Sequence, residues 1–333
     1  MNSIRHCNGQ TYIITHDLGE RIQSLQSIGL RTPAASDDFF LGFNHGLKSL
    51  ISEALPGVEV IDYDMKGLAS EVWAESTRML ESITDSVFVS TCAEVASLRR
   101  GQTIEVNRIV DETGKIIGLG PRPGNPRLGE QIARIVAYAD GRPIILTEDG
   151  AFSGYTVEYI LKLLRARGAR VAAVVLGLCF PGAKELFSKS FEGELVIVEK
   201  VDHPFEWMPD HDFVPFVPNC GRVYGGRFGK DVLPYYSHDG HAFSFPYVRP
   251  YGDPVDWASI PQEHAAELSR FCLQTSHMLY EILDKLNGRS IMMHDLLASK
   301  PRVCVPMSMG GNDLPQTDFC VSEYLSEVCQ ELA

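Results

Sequence analysis

The stretch IILTEDGAFSGYT, residues 144–156, carries the strongest structural signal in the chain. It opens with an apolar run typical of a strand buried on both faces, and this run ends on two adjacent carboxylates, Glu148 and Asp149. Small residues follow, and apolar side chains then recur at helical spacing over the next ten residues. The segment therefore predicts a strand, a short loop and a helix that begins near Tyr155.

A second apolar run, VAAVVLGL at residues 171–178, follows the predicted helix. Strand, helix and strand in this order predict a right-handed crossover in a parallel sheet. Ligands of such sheets bind beyond the carboxyl ends of the strands, where Glu148 and Asp149 are expected. Backbone N–H groups in the loop, together with the helix N-terminus, suit a phosphate. The predicted anion-binding residues are Gly150, Ala151, Phe152, Ser153, Gly154, Tyr155 and Thr156.

At these residues the chain resembles the type I phosphoribosyltransferases. Their signature is a hydrophobic strand, Asp/Glu-Asp, three variable residues and Ser/Thr-Gly-x-Thr/Ser, and residues 148–156 read EDGAFSGYT. The resemblance implies that Glu148 and Asp149 hold the ribose hydroxyls of phosphoribosyl pyrophosphate (PRPP), directly or through Mg²⁺. It also implies that residues 150–156 wrap the 5′-phosphate. An ordinary strand, turn and helix with a capping serine fits the same segment.

The resemblance implies an α/β fold with a parallel-sheet core and N-terminal and C-terminal additions. The run SVFVST, residues 86–91, takes the place of the family's first core strand. The family then has a glycine-containing loop that holds pyrophosphate, but here TCAEVASLRRG has no glycine before Gly101. Three regions are predicted: a hood-like part at residues 1–65, the core at 66–224, and an irregular loop with C-terminal helices at 225–333.

A predicted hairpin at residues 104–124 lies where the family has a mobile catalytic loop that supplies cations to the leaving pyrophosphate. An exposed hairpin with solvated charges fits the same pattern. The proposed catalytic cations are Arg100, Arg108 and Arg122, and Lys115 and Arg127 are further cations around the hairpin.

The aromatic-rich segment DHPFEWMPDHDFVPFVPNCGRV, residues 202–223, lies where the family binds the acceptor. Phe205, Trp207 and Phe213 are the residues expected to stack on a planar acceptor. A proline-rich strand edge packed on the core explains them equally well.

The same part of the chain offers a rival metal chemistry, because it contains several residue types that bind zinc or iron. Their spacing matches neither H-E-x-x-H nor paired C-x-x-C. These residues are His203, His211, Asp212, His238 and His241.

Further along, residues 225–261 have few periodic runs and predict an irregular excursion. A helix is expected from about residue 260 to 287, with Ser259 as its N-cap and Gln262 completing a capping box. A last helix is expected around residues 318–332.

Composition limits the classes of function. The formal net charge of −13 argues against nucleic acid or an anionic membrane as the main partner, because both usually bind basic surfaces. No run approaches the roughly 18 apolar residues of a membrane span. Eight scattered cysteines are typical of a reducing compartment and predict a cytoplasmic protein.

The resemblance implies a phosphoribosyltransferase that moves the 5-phosphoribosyl group from PRPP to a small, nitrogen-containing acceptor and releases pyrophosphate. Mg²⁺ is the expected cofactor, and Glu148 and Asp149 are its expected ligands. The resemblance also implies a homodimer. Two alternatives stay open: a non-catalytic protein of this fold that binds a nucleotide or phosphoribosyl ligand to regulate a partner, and a metal-dependent enzyme that uses the histidines after residue 200.

Overall fold

The computed structural model describes residues 9–97, 101–299, 302–306 and 318–332. Arg100 lies outside these described residues. The strands are β1 Thr11–His16, β2 Glu59–Asp64, β3 Val87–Ser90, β4 Gln102–Thr103, β5 Val106–Val110, β6 Ile116–Pro121, β7 Ile144–Ala151, β8 Val171–Cys179, β9 Glu194–Lys200, β10 Pro204–Pro209, β11 Arg222–Phe228, β12 Asp231–Pro234, β13 Phe243–Phe245 and β14 Val303–Cys304.

The helices follow the same chain order, and three short 3₁₀ segments, Ser24–Ile28, Asp210–Phe213 and Met293–Ser299, complete the secondary structure of the described residues. The α-helices are α1 Leu18–Gln23, α2 Asp38–Ala54, α3 Met65–Ser82, α4 Ala93–Ser97, α5 Leu128–Ala139, α6 Tyr155–Arg165, α7 Pro181–Ser190, α8 Pro254–Ala258, α9 Ala265–Asn287 and α10 Val321–Glu331.

Contacts group the chain into two units, each built from the described residues of three segments. Unit 1 is drawn from Met1–Thr11, Tyr63–Asn107 and Leu119–Phe205, and unit 2 from Tyr12–Asp62, Arg108–Gly118 and Glu206–Ala333. This grouping cuts across the three regions predicted from the sequence. The tip of the hairpin and everything after Phe205 fall in the same unit as most of the N-terminal part.

Unit 1 contains a five-stranded sheet with the order β4-β3-β7-β8-β9. Every neighbouring pair in it is parallel. The predicted fold class, a mixed α/β protein with a parallel sheet, is confirmed. The predicted first core strand is β3, and it lies beside β7 with Val87 opposite Ile144.

The core of unit 1 forms because apolar strand residues meet one apolar face of each flanking helix. In α6, Val157, Ile160, Leu161 and Leu164 are buried, as the helical spacing predicts. They pack in one cluster with residues of β7 and β8 such as Leu146. The predicted start of this helix at Tyr155 is confirmed.

Strand β7 is longer than the sequence suggests, because it continues beyond the two carboxylates to Ala151. Gly150 pairs with Leu178, and Ala151 pairs with Cys179. This pairing is possible because residue 177 is a glycine: a Cβ atom at this position would lie 2.2 Å from the carbonyl oxygen of Asp149. The loop between β7 and α6 therefore contains only residues 152–154.

Unit 2 holds most of a six-stranded sheet with the order β14-β13-β11-β5-β6, in which β12 also pairs with β11. The hairpin predicted around residues 111–114 is confirmed: the amide of Asp111 donates to the carbonyl of Lys115 at 3.0 Å, and the amide of Gly114 donates to that of Asp111 at 2.9 Å. A three-stranded sheet has the order β10-β1-β2.

Two sequence predictions in this part of the chain are wrong. Residues 225–261 are not an irregular excursion, because they include β12, β13 and α8. Ser259 is not the N-cap of the long helix: it has φ of 55° and ends α8, while the long helix α9 begins at Ala265. The hydroxyl of Ser259 instead donates to a carboxylate oxygen of Glu206 at 2.8 Å.

The predicted helices that flank the core are present as α2, α3, α9 and α10. Within the described residues, none of the helices combines the length and apolarity that crossing a membrane requires.

Candidate functional site

The two carboxylates lie at the carboxyl edge of the unit 1 sheet, beside the residue that follows β3. Glu148 and Asp149 are carried by β7, and Cys92 comes two residues after β3 ends. Side-chain ligand atoms of Cys92, Glu148 and Asp149 all lie within 4.8 Å of one another. The thiol of Cys92 donates to a carboxylate oxygen of Glu94 at 3.1 Å. We call Cys92, Glu94, Glu148 and Asp149 the acidic cluster.

The acidic cluster is largely removed from solvent. Cys92 is 1% exposed and Glu148 is 9% exposed, whereas Asp149 is half-buried. Burial, followed by the charge of Glu148, raises the pKa of Asp149 well above its usual value. Burial and the neighbouring carboxylates raise the pKa of the Cys92 thiol as well. The cluster therefore holds more negative charge than its surroundings readily accommodate.

Arg122 is the predicted cation that acts on this cluster. Its charge opposes the rise in the pKa of Asp149. Its Nε atom lies 3.6 Å from Oε2 of Glu105 and donates to the carbonyl of Val106 at 3.3 Å. Among the described residues, neither Glu148 nor Asp149 forms an ion pair with a lysine or arginine. The site therefore suits a cation, or a polyol that donates hydrogen bonds.

The N-terminus of α6 is separated from Asp149 by five residues, because β7 continues through Gly150 and Ala151 and a loop of Phe152, Ser153 and Gly154 follows. The helix begins after Gly154, and no side chain caps it, so the capping-serine interpretation of Ser153 is wrong. Gly154 has φ of 77°, and a Cβ atom there would lie 3.2 Å from atoms of Ala183 and Leu186. Glycine at this position lets the loop pack closely against α7.

The predicted anion-binding residues fall into two groups. Gly150 and Ala151 belong to β7 and pair with β8, and Ala151 is buried. Phe152, Ser153 and Tyr155 are exposed, and Thr156 is half-buried in the first turn of α6. The first turn of a helix presents N–H groups that have no partner within the helix. Of the predicted anion-binding residues, only residues 152–156 therefore remain available to an anion.

Within the described residues that follow β3, Ala93–Ser97 form a helix rather than a glycine loop. The hydroxyl of Ser90 accepts from the amide of Cys92 at 3.1 Å and donates to its carbonyl at 2.8 Å, which turns the chain into α4. Helix α4 carries Glu94 toward the thiol of Cys92. Where the resembled family has amides for a pyrophosphate, this chain has a carboxylate.

The other predicted cations lie on different parts of the molecule. Arg108 is an exposed residue of β5 that belongs to unit 2, as does Lys115 at the hairpin turn. Arg127 is exposed and precedes the first residue of α5. A role for these residues toward a leaving group stays a prediction.

The aromatic residues proposed for the acceptor differ in exposure. Phe205 and Trp207 are half-buried in β10, and the indole N–H of Trp207 donates to the hydroxyl of Thr15 at 3.3 Å. Phe213 is 0% exposed and packs edge-to-face on Tyr247, with ring centroids 6.1 Å apart. Stacking of Phe213 on an acceptor is therefore wrong, because its faces are covered by the core of unit 2.

The histidines after residue 200 do not form the metal site that their residue types suggested. His203 and His238 are exposed, and His241 is buried. His211 instead lies with two residues that the sequence patterns did not single out, Asp17 and Asp210. The five residues that we call the histidine–aspartate network are His16, Asp17, Asp62, Asp210 and His211.

Hydrogen bonds connect the members of this network. Nδ1 of His211 lies 2.5 Å from Oδ1 of Asp17, and the two ring nitrogens of His16 lie 3.1 Å from oxygens of Asp210 and Asp62. Arg21 pairs with Asp17 at 2.8 Å. The amides that follow His16 both donate to Oδ1 of Asp210 at 3.1 Å. Protein donors already satisfy these carboxylates, so a metal ion would have to displace them.

Burial lowers the pKa values of His16 and His211, but the neighbouring carboxylates raise them by more, so both pKa values lie above the ordinary value. Asp210 and then Asp62 raise the pKa of His16, and Asp17 is the main cause of the raised pKa of His211. Burial raises the pKa of Asp210 to about 6. The sequence contains part of the evidence for this network, because β1 ends on His16 and Asp17 follows it. No local sequence pattern indicates that these two residues contact residues 210–211.

No family model and no curated protein sequence matches the chain. The solved structures that are similar to part of it include the following two. The crystal structure of TT1426 from Thermus thermophilus is 19% identical, covers 42% of this chain and 84% of its own length, and has a TM-score of 0.28. The adenine phosphoribosyltransferase from Rhodothermus marinus is 14% identical, covers 47% of this chain and 100% of its own, and has a TM-score of 0.26. At these values the likeness is weak and concerns the fold of part of the chain.

Proposed function

We propose that unit 1 binds a phosphoribosyl ligand, PRPP with Mg²⁺, at the acidic cluster and the N-terminus of α6. We further propose that the protein transfers the phosphoribosyl group to a small, nitrogen-containing acceptor. The observation that carries the proposal is that two carboxylates, which form no ion pair with a lysine or arginine among the described residues, are separated from the uncapped start of a helix by only five residues. A ribose 5-phosphate presents a diol and a phosphate that match these two features.

Each feature would bind a different part of the ligand. The carboxylates of Glu148 and Asp149 accept hydrogen bonds from the ribose hydroxyls. The first-turn amides of α6 donate to the 5′-phosphate, which the positive end of the helix dipole also attracts. The exposed hydroxyl of Ser153 adds a donor at the same place.

The donor atoms of Glu148 and Asp149 fit Mg²⁺, because this cation prefers carboxylate oxygens and completes its shell with water and substrate phosphates. A thiol is a poor ligand for it, so Cys92 would line the site without coordinating. When bound, Mg²⁺ would offset the negative charge of the pyrophosphate. The two carboxylates would stabilise the positive charge that develops on the ribose as its bond to pyrophosphate breaks and the bond to the acceptor nitrogen forms.

A second candidate is a protein of this fold that binds a nucleotide or ribose 5-phosphate without catalysis. The specific observation in its favour is α4, which places Glu94 where a pyrophosphate-binding loop would be expected. A carboxylate there repels pyrophosphate. The two candidates therefore differ in how strongly the pyrophosphate group contributes to affinity.

The test is calorimetric titration of PRPP with Mg²⁺, and of ribose 5-phosphate, into the wild type and two variants. Asp149→Asn should abolish binding of both ligands. Ser153→Glu places a negative charge at the phosphate position on an exposed residue, and should weaken both by about tenfold or more. Ser188→Glu, the same change at another exposed serine, on α7, is the matched control and should leave binding unchanged.

The outcomes separate the candidates. PRPP that binds much more tightly than ribose 5-phosphate supports the transferase, and release of pyrophosphate with a panel of nitrogenous acceptors then identifies the reaction. Equal affinities support the non-catalytic candidate. If neither ligand binds the wild type, or if Ser153→Glu binds as well as Ser188→Glu, the proposed site is wrong.

A further inference from the structure

Two cysteine side chains meet in the core of unit 2. Cys220 lies two residues before β11, and Cys304 is the second residue of β14. Their Sγ atoms are 3.9 Å apart, and the two residues are 0% and 1% exposed. In the sheet, β13 lies between β11 and β14, and the hydroxyl oxygen of its Ser244 is 4.0 Å from the sulfur of Cys220. Both cysteines are free thiols, so a contact without a covalent bond joins positions that are 84 residues apart.

A buried arginine lies beside this thiol pair. Arg302 is 1% exposed, and its Nη1 atom donates to the carbonyl of Cys220 at 3.1 Å and to that of Gly221 at 2.7 Å. A guanidinium group keeps its positive charge in proteins. Removing this charge from water costs free energy, which a negative group nearby offsets. A thiolate at Cys220 is such a group.

The two thiols hold their protons unequally. Burial raises the pKa of Cys220, but the hydrogen bond from Cys304 and the charge of Arg302 lower it by more, so this pKa lies below its ordinary value. Burial, followed by the hydrogen bond with Cys220, raises the pKa of Cys304 well above its ordinary value. Cys220 is therefore the thiolate of the pair, and Cys304 is the thiol that donates to it. The thiolate is the form of cysteine that attacks an electrophile.

We propose that Cys220 and Cys304 form a reversible disulfide when the protein encounters hydrogen peroxide. The thiolate of Cys220 attacks one oxygen of the peroxide, the O–O bond breaks, and the other oxygen leaves as hydroxide and takes up a proton. The thiol of Cys304 then attacks the sulfenic acid at Cys220, which forms the S–S bond and releases water. In sum, two thiols and one peroxide give one disulfide and two waters. The two sulfurs lose two electrons, and the peroxide gains them.

The reaction requires that the sulfurs approach each other and that peroxide reaches them. The Sγ atoms must move from 3.9 Å to about 2 Å, the length of an S–S bond. Access depends on β14, which has two residues and, within the described part of the chain, pairs only with β13. A short strand at a sheet edge opens more readily than a central strand. Opening of β14 moves Cys304 away and admits peroxide to Cys220, and its closure brings the two sulfurs together.

The test treats the full chain with hydrogen peroxide and measures its intact mass before and after reduction with dithiothreitol. The wild type should lose about 2 Da, the mass of two hydrogens, and dithiothreitol should restore the original mass. Digestion without reductant should give a cross-linked pair of peptides that contain residues 220 and 304. Urea at concentrations well below unfolding should speed the oxidation severalfold, because it favours the opening of β14.

Single serine variants assign the two roles. In Cys304→Ser the first step should still occur, so dimedone, which labels sulfenic acids, should label residue 220. In Cys220→Ser both the mass loss and the dimedone label at residues 220 and 304 should be absent. Cys272→Ser, which removes another buried thiol of unit 2, from α9, is the matched control and should keep the mass loss.

The proposal is overturned if the folded wild type keeps its thiols in the presence of peroxide, if the cross-linked peptides join other cysteines, or if Cys272→Ser also abolishes the reaction. If a serine variant fails to fold, the cross-linked peptides of the wild type still identify the pair. The reaction involves no phosphoribosyl ligand, so its failure leaves the proposed function untouched, and the failure of that function leaves the thiol pair untouched.

Discussion

Replacing Asp149 by asparagine should make the ligand-free protein more stable while it removes ligand binding. When Asp149 is ionised it faces the charge of Glu148, and side-chain oxygens of the two lie within 4.8 Å. At an effective dielectric constant of about 20, two unit charges at this separation repel by about 3 kcal/mol. Asp149 is half-buried, so solvent screens part of this repulsion, and we expect Asp149→Asn to raise the free energy of unfolding by about 1–2 kcal/mol.

The stability difference between Asp149→Asn and the wild type should depend on pH. The pKa of Asp149 is raised in the folded protein, so folding favours its protonated form. The wild type should therefore lose stability as the pH rises from about 4 through the raised pKa, because the proton is then lost from the folded state. Asparagine cannot ionise, so the difference between variant and wild type should grow with pH.

The assay is urea denaturation without ligand at a series of pH values that starts near 4, the ordinary pKa of an aspartate, and rises to mildly alkaline conditions. Glu192→Gln, an exposed carboxylate outside the acidic cluster, is the control and should change little. Asparagine before Gly150 is prone to deamidation, so intact mass must confirm the variant. If Asp149→Asn is equally or less stable than the wild type throughout, the carboxylates do not repel each other as described.

Three further expectations concern single residues of unit 1 and unit 2. Gly177→Ala would place a Cβ atom 2.2 Å from the carbonyl oxygen of Asp149 and should lower the free energy of unfolding by about 1–3 kcal/mol. Gly182→Ala is the control, because the nearest atom to its Cβ would lie 3.7 Å away, and it should not lower this free energy. Equal melting temperatures of the two variants would contradict the prediction. Phe213→Ala should lower the free energy of unfolding by about 3–5 kcal/mol and should leave the acceptor affinity of the folded protein unchanged. A selective loss of acceptor affinity would show that Phe213 does contact the acceptor. The raised pKa values of His16 and His211 predict that the stabilisation from their protonated forms is present below about pH 6.5 and is lost as the pH rises through the folded values. Thermal scans of His211→Gln should therefore show a smaller loss of stability than the wild type over this range; parallel curves would contradict it.

The sequence predicts the strand and helix around the acidic residues well, because their signals are local. The apolar run of β7 and the helical spacing of α6 both lie within one short segment. The continuation of β7 to Ala151 is different, since it depends on pairing with β8 and on the absence of a side chain at Gly177. No pattern within β7 itself contains that information.

The candidate site was predictable only in part for the same reason. Glu148 and Asp149 are adjacent in the sequence, but Cys92 joins them through the neighbouring strand β3. Asp17 and Asp210 are 193 residues apart and meet through a hydrogen bond from a backbone amide. Polar residues that follow β1 and β3 could have been collected as candidates, but their partners depend on strand order.

Local signals also misled at Ser259. A serine followed three residues later by glutamine is a typical capping box, yet the amide of Ile260 donates to the carbonyl of Pro254 at 3.1 Å and closes α8 instead. The side chain of Ser259 is then used by Glu206. Its role is set by a residue more than 50 positions earlier in the chain, which no capping rule considers.

The interleaved segments of the two units affect the order in which the protein can fold during synthesis. Unit 1 has all its residues once Phe205 has left the ribosome, whereas unit 2 needs Tyr12–Asp62 together with residues that follow position 206. At roughly 5–20 residues per second, its first segment therefore waits on the order of ten seconds for its partners. The apolar face of α2, with Phe43 and Leu47, stays without its final packing during that interval, when it can associate with other apolar surfaces.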